Sequence, residues 1–102
     1  MKAIRFHREA DAEYAAAAQH YGEISPELAQ RFYSVIEELL IEIRVAPTRF
    51  RTILLPARRH FRKPFPYAVV YIDKPDYVWV IAVSPFKREP GHWHKRVGQT
   101  PS

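Results

Sequence analysis

The sequence has no cysteine among its 102 residues. That absence excludes disulfides, thiolate zinc sites, iron–sulfur clusters and thiol nucleophiles, and it fits a reducing compartment. Glycine is almost as scarce. Its three positions, 22, 91 and 98, leave no glycine-rich loop to cradle a phosphate, and no serine stands in a nucleophile-elbow context. Long hydrophobic runs are missing too: the stretches around Val35–Val45 and Val78–Val83 are short or carry charges, so neither suits a membrane span. The opening Met1-Lys2-Ala3-Ile4-Arg5-Phe6 lacks the apolar core of a secretory signal. The expectation is a soluble, cytoplasmic domain. At this length one core buries roughly two-thirds of the unfolded chain's surface, which fits a single domain over residues 1–97 and a disordered tail over 98–102.

What the chain does have is positive charge, unevenly placed. Sixteen Lys plus Arg stand against 11 Asp plus Glu, for a net charge of +5. Residues 1–50 carry 6 basic and 8 acidic residues, or −2, whereas residues 51–102 carry 10 and 3, or +7. The second half also holds seven of the nine prolines and interleaves its cations with Phe61, Phe65, Tyr67, Tyr71, Tyr77, Trp79, Phe86 and Trp93. Such a field attracts a polyanion or an acidic partner protein.

Periodicity supplies the elements. Ile4 and Phe6 alternate with Arg5 and His7, as in a short strand buried on one side. From Glu9 the period changes: Ala10, Tyr14, Ala17, Ala18 and Tyr21 share a helical face, with Gly22 placed to end the helix. Ser25-Pro26 then reads as an N-cap with proline at the first helical position, followed by Glu27. Leu28, Phe32, Val35, Ile36, Leu39, Ile43 and Ala46 repeat at helical spacing until Pro47 stops the run, leaving Leu40, Ile41 and Val45 off the main stripe. Beyond Pro47 the texture is that of strands. Ile53 and Leu55 alternate before Pro56, a strand is expected around Arg59–Arg62, and Tyr67–Asp73 and Tyr77–Ser84 flank a Lys74-Pro75-Asp76 turn. Apolar residues on both sides of Val78–Val83 indicate a central strand covered on at least part of each face. The expected fold is α+β, in the order β-α-α-β-β-β, with a two-helix hairpin on a small, mostly antiparallel sheet.

This order combines with two stretches, Arg59-His60-Phe61-Arg62-Lys63-Pro64-Phe65-Pro66-Tyr67-Ala68-Val69-Val70-Tyr71 and Ala82-Val83-Ser84-Pro85-Phe86-Lys87-Arg88-Glu89-Pro90-Gly91-His92-Trp93. With the helical Leu28-Ala29-Gln30-Arg31-Phe32, the set resembles the RelE/ParE superfamily of toxins from type II toxin-antitoxin modules, of the plasmid-stabilisation type. The resemblance spans nearly the whole chain. It implies a toxin neutralised by a cognate antitoxin, acidic and partly disordered, with no cofactor and no metal. It also implies one of two targets: messenger RNA on the ribosome, cut without a metal as by RelE-like toxins, or DNA gyrase, poisoned as by ParE-like toxins.

The residues lean toward the second. Cleavage through a 2′-hydroxyl needs a base, an acid and cations on the phosphorane-like transition state. Arg59, Arg62, Lys87 and Arg88 would supply cations, and His92 or His94 the proton. However, the position where RelE-like toxins tend to place a tyrosine is Trp93, whose indole exchanges no proton near neutral pH. Where relatives carry a Val-x-His pattern, the chain reads Val83-Ser84-Pro85. On the ParE-like reading the basic segment Lys87–Arg96 is the inhibitory element, and Arg58, Lys63, Trp93, Lys95 and Arg96 are partner or nucleic-acid contacts. Plainer roles stand beside these. Arg58–Lys63 would guard a sheet edge, Tyr67 and Tyr71 would pack, Trp93 would close the core, and Leu40, Ile41 and Val45 would receive an antitoxin helix or a second copy. A further alternative is a non-toxic basic adaptor that binds nucleic acid or protein.

Overall fold

The computed structural model describes residues 1–85 and 91–101. It opens with a strand, β1 (Ala3–Phe6), and passes at once into a helix, α1 (Arg8–Ile24). His7 makes that switch: its extended backbone ends the strand, and its Nδ1 accepts from the Glu9 amide at 3.0 Å as the helix N-cap. The second helix, α2 (Pro26–Val45), follows after one residue. Gly22 does not end α1, which continues to Ile24. The break belongs to Ser25, because a residue before proline is driven out of the helical region. Ser25 sits at φ −162° and ψ 148°, donates its amide to Tyr21, and caps α2 by accepting from the Leu28 amide at 3.1 Å.

Four strands complete the sheet: β2 (Arg51–Leu54), β3 (Ala57–Phe61), β4 (Tyr67–Asp73) and β5 (Tyr77–Pro85). The spatial order is β1-β5-β4-β3-β2, antiparallel except for β1, which runs parallel to β5. The α+β hairpin-on-sheet architecture thus holds, with one more strand than the expected β-α-α-β-β-β. A short helix, α3 (Gly91–His94), and a 3₁₀ turn (Lys95–Gly98) follow.

The sheet is buried on both faces. On one, α1 and α2 bring Ala10, Tyr14, Phe32, Ile36, Leu39 and Ile43 against Val69, Tyr71, Val78, Val80 and Val83. Phe65 of the Phe-Pro-Tyr turn joins this core, its ring 5.0 Å from that of Tyr21 and 5.3 Å from that of Phe32. Tyr71 is wholly buried and donates its hydroxyl to Pro47 O at 2.6 Å. On the other face Val70, Ile72, Trp79, Ile81 and Ala82 form a second core, closed by Trp93 of α3 and Val97. Strict alternation along β5 would put Ala82 with Val78 and Val80. A bulge prevents this: Val70 pairs with Ala82 but Tyr71 with Val80, so Ile81 is the extra residue and Val83 turns to the helices.

Leu40 is only 6 % exposed and belongs to the helix-side core, so it drops out of the strip expected on α2. Ile41 and Val45 stay 48 % and 64 % exposed, and Tyr33 extends their stripe at four-residue multiples. Trp93, at 2 %, takes the core-closing role. Replacing it with alanine is expected to cost about 3–5 kcal/mol through lost contacts and the cavity left behind. Urea unfolding followed by far-UV circular dichroism checks this.

Candidate functional site

The acidic helical half and the basic strand half of the chain meet as ion pairs. The more buried cluster centres on Glu13, one position before the core residue Tyr14 on α1. The pairing of β1 with β5 ends at Phe6 opposite Val80, and two nearby backbone groups of β5 bond to side chains instead. The Val83 amide donates to Glu13 Oε1 at 3.1 Å, and Ile81 O accepts from Arg96 at 2.8 Å. Arg96 grips Glu13 with two nitrogens, at 3.1 and 2.9 Å, while its Nε lies 3.0 Å from Glu9 Oε2. His92 Nε2 approaches the same Glu13 carboxylate at 3.5 Å. The Arg96 side chain is 8 % exposed and that of Glu13 19 %, so this is a largely desolvated, two-pronged charge pair.

A second cluster ties α2 to β3. Glu42 Oε1 is 2.6 Å from His60 Nε2, and Glu42 Oε2 accepts from Arg62. Arg62 also reaches Glu38 at 3.1 Å. The His60 ring lies flat on Phe50, with centroids 3.6 Å apart. The hydrogen bond from His60, followed by that from Arg62, holds the Glu42 carboxyl below its ordinary range against the opposing effect of its burial.

These pairs decide where the nominated residues lie. Arg58 donates to Phe50 O at 2.8 Å, within the β2–β3 hairpin. Arg59 is half-buried on β3, its guanidinium 5.6 Å from the Phe61 ring centroid. Arg62 is engaged by α2, and Lys63 next to it is exposed. His92 and Arg96 turn inward to Glu13, whereas His94 and Lys95 between them point to solvent. Arg96, offered from sequence as a surface contact, is thus a buried structural cation, 7 % exposed. Lys87 and Arg88 lie outside the described residues. The strand order puts β4 between β3, which carries Arg58 and Arg59, and β5. Arg62 is engaged by Glu38 and Glu42 of α2, and His92 and Arg96 by Glu13 of α1. Burial pushes the Tyr71 hydroxyl up to about 12, and burial with the neighbouring Glu37 raises that of Tyr14. Among the described residues no group of three His, Asp or Glu is placed to hold a metal ion.

Sequence reasoning nominated the cations and missed the acids that hold them. Glu38 and Glu42 stand four residues apart, hence on one face of α2, and Glu13 adjoins the apolar stripe of α1. That spacing was the available signal. Because the folded-state pKa of Glu42 is depressed, its contribution to stability is present above the ordinary carboxylate pKa and is lost as pH falls through the folded value. The melting temperature of the wild type is therefore expected to exceed that of Glu42→Gln at neutral pH. The difference should close as the pH drops below the carboxylate range, as thermal scans in a pH series would check.

No curated protein sequence matches the chain. Among solved structures it is similar to the "Chromosomal ParDE TA system from P. aeruginosa", with a TM-score of 0.71 and 18% identity, over 83% of this chain and 96% of that one. At that identity the likeness speaks for the fold. The family model described as "ParE toxin of type II toxin-antitoxin system, parDE" matches residues 4–90. That span takes in β1, both long helices and all of the remaining sheet, and on it the chain belongs to the ParE toxin family of type II toxin-antitoxin systems.

Proposed function

We propose that this toxin acts by protein contact on DNA gyrase, and that the described part of its inhibitory element is the strip Gly91–Arg96, in which His94 and Lys95 face solvent. The observation that carries the reading is the fate of the proton carriers a nuclease would need. His60 is bound to Glu42 on α2, His92 is turned toward Glu13 on α1, and Trp93 is buried where a tyrosine would have served. Arg62 and Arg96 are likewise engaged in ion pairs, and of the nominated residues that the structure describes, Lys63, His94 and Lys95 are exposed and suited to an acidic protein surface.

The family carries a cognate antitoxin. We read that partner as acidic and partly disordered, a chemistry matched to a half-chain of net +7. The exposed Tyr33, Ile41 and Val45 on α2 suit one face of an amphipathic helix from it. Among the described residues no helix is long and apolar enough to cross a membrane.

Brief induction of the toxin in cells tests the target. DNA damage signalling and filamentation with intact messenger RNA are expected, together with inhibition of supercoiling by purified gyrase. In the purified assay Lys95→Glu should raise the half-inhibitory concentration about tenfold, which corresponds to ~1.4 kcal/mol. Rapid arrest of protein synthesis with cut transcripts would overturn the reading in favour of a ribosome-dependent nuclease, and unaffected growth would favour the adaptor.

A further inference from the structure

We propose that Glu13 is a positioning residue for the inhibitory strip, setting through Arg96 the direction in which His94 and Lys95 are presented; this rests on the strip being the element that meets the target. Two anchors bracket the exposed pair. On one side Trp93 is buried in the second core beside Val70, Trp79 and Ile81. Apolar burial of this kind is strong but non-directional, so by itself it leaves the strip free to rotate about the indole. On the other side Arg96 is gripped by both oxygens of Glu13 and donates to Ile81 O. A two-pronged guanidinium–carboxylate contact fixes orientation as well as distance. With both neighbours held, the backbone of His94 and Lys95 has one course.

Glu13 also holds the other end of the same stretch. Its Oε1 accepts from the Val83 amide near the end of β5, so one carboxylate is bonded both to the last strand and to the strip that follows it in sequence. Among the described residues, the polar groups bonded or paired to Glu13 are the Val83 amide of β5, His92 and Arg96. Glu9, one turn earlier on α1, assists from the surface, its side chain 60 % exposed against 19 % for Glu13. The carboxylate touches no target in this scheme.

The test compares the wild type with Glu13→Gln, which keeps the side-chain shape and removes the charge. Glu23→Gln, at an exposed position of α1, serves as control. Hydrogen exchange at the amides of residues 91–98 reports whether the strip is held, and inhibition of gyrase supercoiling reports its action. For Glu13→Gln the expectation is exchange about tenfold faster in 91–98, with α2 and β4 unchanged, and a half-inhibitory concentration raised about tenfold. The control should move neither. Unchanged exchange, or released exchange with undiminished inhibition, would overturn the proposal. Should Glu13→Gln fail to fold, Arg96→Lys, which keeps the cation and loses the fork, is read in the same way. A wild type that does not inhibit gyrase would overturn the target reading instead, while the exchange measurement still decides whether Glu13 holds the strip.

Discussion

The carboxylate of Glu13 and the guanidinium of Arg96 meet across 83 residues of sequence, and much of the domain's closure depends on that meeting. β1 is too short to accompany β5 to its end, which leaves backbone donors and acceptors of β5 without a strand partner. The two side chains take that place, one accepting from Val83 and the other donating to Ile81. A buried pair of this type adds little net stability compared with apolar packing, yet removing one member leaves a desolvated charge behind. What it contributes is uniqueness of arrangement. The end of the chain must arrive at one site on α1, in one orientation.

Around that pair the molecule has two cores of unequal kind. The helix-side core is large, rich in rings and built from distant segments, with Tyr14, Tyr21, Phe32, Phe65 and Tyr67 in mutual contact. The opposite core is smaller and takes its lid, Trp93, from beyond residue 90, where the family match ends. In this chain the sheet's second face is covered by Trp93 and Val97. Covering that face and presenting His94 and Lys95 are done by the same few residues.

Much of this was legible in the residues. The helix pair followed from spacing, the joint at Ser25-Pro26 from capping chemistry, and the central strand from the two-sided apolar run Val78–Val83. Gly22 misled because glycine marks a helix end where the backbone needs the left-handed region, and no described residue uses it. The bulge at Ile81 was out of reach, since it depends on how β4 and β5 align rather than on either strand alone. Charge misled in a similar way. Summed by halves it suggested a neutral scaffold and a basic working surface. In the fold, Glu38, Glu42 and Glu13 of the scaffold neutralise Arg62 and Arg96, and the residual field comes from fewer residues than the count implied.

The parallel pairing of β1 with β5 has a consequence for how the protein comes into being. The first strand to be synthesised has its partner at Tyr77–Val80, and Glu13 has to wait for Arg96. Neither long-range contact can reward the loop closure it requires until the segments carrying Tyr77–Val80 and Arg96 are available. Until the later strands arrive, the helical hairpin has its apolar stripe uncovered. The course of His94 and Lys95 and the closure of the domain are thereby settled together.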